Sequence, residues 1–216
     1  MANAFEITFE FRNQRFDDAS IGLRAFHDIL QKDWDGSAKA LSNELRSFLS
    51  QVVDAIVTRN SNAWPGGTSA TSLSKRSGAF VAAIAGSVQV KGSTFEDIQG
   101  SIGAPGIPYA RIQETGGIIR AKNVKFLTIP LKAALNANGA PIMKSARDWP
   151  NTFVAKTKAG NLVIFQKRGA TIVPLYVLKT QVTIPSRLNM RTSLDAGLPY
   201  FVDRAMDAIV RSVMEK

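Results

Sequence analysis

Cysteine is missing from this chain, and histidine occurs once, at His27. Without thiols there can be no disulfide and no thiolate metal site, and the chain carries no mark of an oxidising compartment. Long apolar stretches are missing too: the longest runs fall far short of the roughly 20 residues that a membrane-spanning helix needs. The first twelve residues set Glu6 and Glu10 among alternating apolar positions, unlike the basic start and apolar block of a secretory leader. The expectation is a soluble protein made in a cytoplasm. Catalytic groups are equally scarce. A Ser-His-Asp arrangement would have to use His27, whose neighbours Leu23, Phe26 and Leu30 suggest a packed or surface histidine on a short helix. No GxxxxGK(S/T) or GxGxxG run offers a phosphate cradle. The adjacent acids Asp17-Asp18 and Glu96-Asp97 make poor metal or acid–base pairs, because neighbouring side chains on a helix or strand point apart. The sequence reads as a protein that is not an enzyme and uses no cofactor and no metal.

What is present is enough apolar material for a core: 216 residues, 45% hydrophobic and 20% charged. The net charge of +10 is unevenly spread. Residues 1–60 hold 7 basic and 9 acidic groups (−2), and residues 61–115 hold 4 and 3 (+1). Residues 116–192 hold 13 basic groups and one acid, Asp148 (+12), while residues 193–216 hold 3 and 4 (−1). A field concentrated in one segment attracts polyanions over a screening length of about 8 to 10 Å. A solubilising face, contact with an acidic neighbouring subunit, and direct DNA contact all remain open readings of it.

Periodicity outlines an α+β chain. Phe5, Ile7, Phe9 and Phe11 alternate with polar residues and predict an opening strand. Leu23, Phe26 and Leu30 suggest a short helix that Asp33, Asp35 and Gly36 would end. Ser37 would then cap a second helix, with Leu41, Leu45, Phe48, Leu49, Val52 and Ile56 on one face to about Thr58. Residues 60–74, rich in Gly, Ser, Thr and Asn around Trp64-Pro65, read as a long exposed loop. A helix over 75–86, strands at 88–91 and 95–102, and a short helix from Tyr109 to Gly116-Gly117 follow. Strand candidates at 118–119 and 126–129 flank a basic loop. Residues 132–145 read as an exposed loop, residues 153–166 as a hairpin with a tight turn, and 176–184 as one strand. Pro199 at a first-turn position would open a closing helix with Leu198, Val202, Ala205, Met206, Ile209 and Val213 along one side. The predicted architecture is one α+β domain over residues 1–216. Short antiparallel strands pack against N-terminal, middle and C-terminal amphipathic helices, with long loops at about 60–74 and 132–150.

Two segments resemble a known group. Ser77-Gly78-Ala79-Phe80-Val81-Ala82-Ala83-Ile84, followed by Pro108 and the Tyr-Ala-x-x-x-Glu-x-Gly-Gly turn at Tyr109, Glu114, Gly116 and Gly117, is the first. The second is Pro174-Leu175-Tyr176-Val177-Leu178-Lys179, then Ile184-Pro185-Ser186-Arg187 and the closing helix. Their order and spacing resemble the tailed-bacteriophage proteins that include the lambdoid minor tail protein Z, the Mu-type virion morphogenesis proteins and related head–tail joining proteins. The chain departs from that pattern in its 60–74 loop and in an insertion at 132–150. The resemblance implies a structural virion protein of the neck or tail. It would complete the tail or join it to the head as part of a ring, expected as a hexamer, around the DNA channel. Its partners would be copies of itself, adjacent neck, tail-terminator or tail-tube proteins, and lumen DNA, with no membrane involved. The residues Tyr109, Glu114, Gly116, Gly117, Pro174, Tyr176, Pro185 and Arg187 carry the likeness and are not expected to be catalytic. Arg120, Lys122, Lys125, Lys156, Lys158, Lys167, Arg168, Lys179, Arg187 and Arg191 are the candidate contacts to DNA or to a neighbouring ring, where phosphate contacts need no base specificity. The alternative is a free, sequence-independent nucleic-acid-binding protein, and a virion-borne hydrolase stands behind both.

Overall fold

The computed structural model describes residues 9–11, 14–16 and 18–214. In chain order the elements are β1 (Phe9–Phe11), β2 (Gln14–Phe16), α1 (Ala19–Arg59), α2 (Ala79–Ala85), β3 (Gln89–Lys91), β4 (Gln99–Ser101), α3 (Ala110–Thr115), β5 (Gly117–Arg120) and β6 (Leu127–Pro130). Two single-turn 3-10 helices, Lys132–Ala134 and Ala146–Asp148, come next, then β7 (Thr152–Lys156), β8 (Leu162–Arg168), β9 (Thr171–Lys179), β10 (Gln181–Ile184) and α4 (Met190–Met214). Helices and antiparallel sheets together make an α+β fold. The chain divides into two units interleaved in sequence: residues 1–50, 88–101 and 196–216 form one, and residues 51–87 with 102–195 form the other.

In the first unit the side chains of α1 and α4 meet. Phe48 stacks on Phe201 at 5.1 Å between ring centroids, and Ala38, Phe48, Leu49 and Ala205 are buried. Gly197 explains itself here, because a Cβ at that position would stand 2.6 Å from Cε2 of Phe48. The β3–β4 hairpin approaches α1 in the same way: a Cβ on Gly100 would meet Cδ1 of Leu49 at 2.7 Å. Trp34 and Phe95 lie 4.7 Å apart, centroid to centroid.

Several boundaries differ from the sequence expectation, each for a local reason. The two N-terminal helices are one helix of 41 residues. Ser37 does not cap a second helix: it is buried, its hydroxyl donates to the Asp33 carbonyl at 2.8 Å, and it shares a 2.7 Å hydrogen bond with the Ser212 hydroxyl. A serine bonding back four residues satisfies a helical carbonyl without interrupting the helix. Asp18 supplies the N-terminal cap, accepting from the Ser20 amide at 2.8 Å. The predicted opening strand is present at Phe9–Phe11, paired with β2, and its earlier residues lie outside the described ones. At the other end α4 starts at Met190, nine residues before Pro199, which sits inside the helix.

The second unit is built on a four-stranded antiparallel sheet in the order β6-β9-β8-β7, with a register irregularity between Ile164 and Phe165. The predicted hairpin at 153–166 is β7–β8, closed over Thr157 to Asn161. The predicted single strand over 176–184 divides at Thr180: β9 pairs with β6 and β8, while β10 pairs with β5 in a separate ribbon. Ala134, Trp149, Leu175 and Tyr176 form a buried cluster, and the Trp149 indole N–H donates to the Tyr176 hydroxyl at 3.1 Å. Ala134 and Trp149 are buried against Leu175 and Tyr176, so residues 132–150 are anchored on the sheet at those two points, while residues 136–138, 141–142, 144–145 and 147–148 between them are exposed, as a loop's are. The 60–74 segment is pinned as well. Asn60, 1% exposed, donates to the Ile56 carbonyl and accepts from the Leu73 amide, both at 2.8 Å, and Lys75 pairs with Ala63. A buried amide satisfied at both ends closes this loop on its own base.

Candidate functional site

The candidate basic residues all lie in the second unit and fall into three places. Register fixes the first. Lys156 is opposite Leu162, Leu162 is opposite Leu178, and Lys179 is opposite Leu127, so all of these residues stand at one end of the four-stranded sheet. Lys158 in the β7–β8 turn, Lys122 and Lys125 in the β5–β6 loop, and Arg120 opposite Gln181 belong to that same end. Every one of these side chains is exposed. Lys179 Nζ donates to Asn161 Oδ1 at 2.6 Å, and Lys125 Nζ stands 5.6 Å from the Phe126 ring centroid. Lys167 and Arg168 are at the opposite end, the last two residues of β8, where Arg168 Nε donates to Gln166 Oε1 at 2.7 Å beside the Trp149 ring. Arg187 and Arg191 occupy a third place, by the start of α4. The ten candidates are therefore not one patch, and six of them share the first end.

Asp148 is the one acid of residues 116–192, and a turn occupies it: its carboxylate accepts from the Ser145 amide at 2.9 Å. The basic end of the sheet thus has no acid of its own segment to neutralise it. A cavity of about 650 Å³ beside β6 and β9 adds Lys144 and Arg147, which sequence reasoning did not single out, to the cationic set around Lys125 and Tyr176.

The residues that carry the resemblance come together as a joint. Glu114, at the end of α3, receives the first amides of α4: Met190 donates to Oε2 at 2.9 Å and Arg191 to Oε1 at 3.1 Å. A carboxylate at a helix N-terminus satisfies unpaired amides and complements the helix dipole. The Gln113 carbonyl accepts from the Arg187 amide at 2.7 Å and the Leu188 amide at 3.1 Å, and the Ser186 hydroxyl donates to the Glu114 carbonyl at 2.5 Å. Gly116 has φ +67 and ψ 177, a region essentially reserved for glycine, and a Cβ there would meet the Ser186 nitrogen at 3.1 Å. Gly117 then begins β5 opposite Ile184, the residue before Pro185. Tyr176 belongs to the sheet core and Pro174 to β9 opposite Phe165. Glu114, Gly116 and Gly117 are thus explained as architecture, while Tyr109 and Arg187 line a second cavity, of about 460 Å³.

His27 is an exposed side chain on α1, 3.4 Å from Asp28. Among the described residues no group of three or more His, Asp or Glu side chains gathers as a metal site would require, and no helix is long and apolar enough to cross a membrane. Comparison of the chain with protein families, with curated proteins and with solved structures finds no match.

Proposed function

We propose that the chain is a structural component of a tailed-phage virion, one subunit of a ring that completes the tail or joins it to the head around the DNA channel. The observation that supports this reading is an apolar row along α4 that is exposed among the described residues. Leu198, Val202, Met206 and Val210 recur every fourth residue and are 49 to 57% exposed, while Ala205 on another side of the helix is buried. Contiguous exposed apolar side chains mark a surface that a partner covers. A second copy fits this one, because both signs of charge border the row, at Asp203 and Asp207 and at Arg211, and a neighbouring copy can offer each its opposite. A ring requires that the row meet a different surface of the next copy, because two like rows facing each other would close as a dimer. The basic end of the sheet would then be available to DNA in the lumen or to an acidic adjacent ring.

Light scattering on the full chain should return a mass several times the 23.4 kDa of one copy, and V202E/M206E should return the single-chain mass. In particles lacking this polypeptide, heads without tails should lie beside free tails. Fully assembled, infectious particles would overturn the virion role. The second reading, sequence-independent binding of nucleic acid by the isolated chain, draws on the basic end, which has no acid of its own segment to neutralise it. Monomeric protein that retards DNA tightly, with a steep loss of affinity in salt, would favour it.

A further inference from the structure

The cavity of about 460 Å³ lies within the second unit, among the 60–78 segment, α2, α3 and Arg187. Its charged wall residues are Lys75, Arg76 and Arg187, and neither a carboxylate nor a histidine lines it. Lys75 and Arg76 are exposed, Arg187 is partly buried, and none of the three pairs with a carboxylate among the described residues. Cations gathered around one cavity repel each other, and an anion between them removes that cost. Two of the three are held in place. Arg187 Nε donates to the Ser69 carbonyl at 3.1 Å, which leaves its other guanidinium donors for a ligand, and the Arg76 guanidinium stands 5.9 Å from the Trp64 ring centroid. Other polar wall groups are occupied within the chain: Asn60 by Ile56 and Leu73, and the Thr68 and Ser74 hydroxyls by each other at 2.5 Å. Phe80 and Tyr109 contribute apolar surface.

Charge and oxygen count select the anion. A carboxylate brings one negative charge on two oxygens, and a phosphodiester likewise presents one charge on two unesterified oxygens. A phosphate monoester carries about −1.5 to −2 at pH 7 on three acceptor oxygens, so it offers one oxygen to each cation and leaves the least charge uncompensated. The volume exceeds what a phosphate group alone would fill and lies within the range of about 300 to 1,000 Å³ usual for small-molecule pockets. The apolar part of the wall gives the organic portion of such an ester a place. We propose that this cavity receives a small phosphate monoester, its terminal oxygens among Lys75, Arg76 and Arg187 and its organic portion against Phe80 and Tyr109. The assignment does not depend on the virion role, since it concerns what the cavity recognises and not where the chain resides.

Titration calorimetry of the full chain with phenyl phosphate tests it, against phenyl sulfate, benzoate, inorganic phosphate and an acetylated tetraglutamate peptide. Phenyl sulfate keeps the three oxygens with a single charge, and benzoate keeps the ring with a carboxylate. At about pH 7.5 both should bind at least about tenfold more weakly than phenyl phosphate, a difference of roughly 1.4 kcal/mol. The advantage over the sulfate should vanish at about pH 5, below the ester's second pKa of about 6, because the ligand then carries one charge and no carboxylate or histidine of the wall titrates in its place. K75Q/R76Q should weaken phenyl phosphate by about tenfold or more with an unchanged melting temperature, since both side chains are exposed. K167Q/R168Q removes two charges elsewhere in the same unit and should leave the affinity unaltered. Equal affinity for phenyl phosphate and either monoanion at about pH 7.5, or equal losses in the two double variants, would overturn the proposal. Inorganic phosphate binding as tightly as the ester would overturn it too, and tighter binding of tetraglutamate would reassign the cavity to an acidic polypeptide.

Discussion

Glu114 stands 76 positions before the helix whose first amides it receives, and that distance is why it reads as a motif letter in the sequence and as a cap in the fold. Removing it should cost about 1 to 2 kcal/mol, because two amides lose a charged acceptor at the positive end of a long helix. Urea denaturation of E114A would register this as a lower midpoint with an unchanged slope. G116A should cost a similar amount for a different reason, since alanine is strained at φ +67. A third residue makes stability depend on pH. Asp97 accepts from the Thr94 amide at 2.7 Å, the Thr94 hydroxyl at 2.9 Å and the Ser93 amide at 2.9 Å. The Thr94 amide first, then the Thr94 hydroxyl, hold its carboxyl below the ordinary aspartate value, with a slight loss of hydration pushing the other way. A folded-state value below the unfolded one means that this contribution is complete above about pH 4 and is lost as pH falls through the folded value. D97N should therefore melt below the parent protein at pH 7, and the gap should narrow on acidification below about pH 4. A gap of constant size would show that the charge on Asp97 is irrelevant.

At the scale of elements, short-range signals were legible and long-range ones were not. The β7–β8 hairpin follows from two alternating runs around Lys158-Ala159-Gly160-Asn161, and Phe48, Leu49, Val52 and Ile56 form the predicted buried face of α1. The join of the first two predicted helices was hidden because Asp33, Asp35 and Gly36 look like a stop. Their continuity depends on Ser37 reaching back to Asp33 and across to Ser212, 175 residues away. The start of α4 was hidden likewise, since a distant carboxylate caps it while Pro199 resembles a beginning. Of the candidate site, the charge asymmetry was plain in composition, but its division between two ends of a sheet depends on register. Close helix contact yields a prediction at this scale. In G197V the new side chain would have to occupy space held by the buried Phe48 ring, and overpacking of this kind costs about 1 to 3 kcal/mol. Thermal denaturation should show a clear loss, and an unaffected melting temperature would mean that α4 does not lie against α1 at Phe48.

For the whole molecule, the net charge of +10 matters less than its arrangement, with +12 in residues 116–192 and six of the candidate cations at one end of a sheet. A diffuse positive field and a contact surface make different demands on salt. Each phosphate neutralised releases counterions and adds about −0.9 to the slope of log affinity against log salt. If the basic end touches DNA, K156Q/K158Q/K179Q should reduce the magnitude of that slope by roughly 2 to 3, uniformly across DNA sequences. K167Q/R168Q, at the opposite end, removes two charges from the same unit and serves as the contrast. If the field were diffuse, each charge would count alike wherever it lay, and the two variants would differ only as three charges differ from two. A contact surface instead requires that the K167Q/R168Q slope stay near that of the parent. Gel retardation of a random-sequence duplex across a salt series measures both. A parent protein with no measurable affinity for the duplex would direct the basic end toward an acidic protein neighbour, because exposed cations with no acid of their own segment still require a counter-surface in a packed assembly.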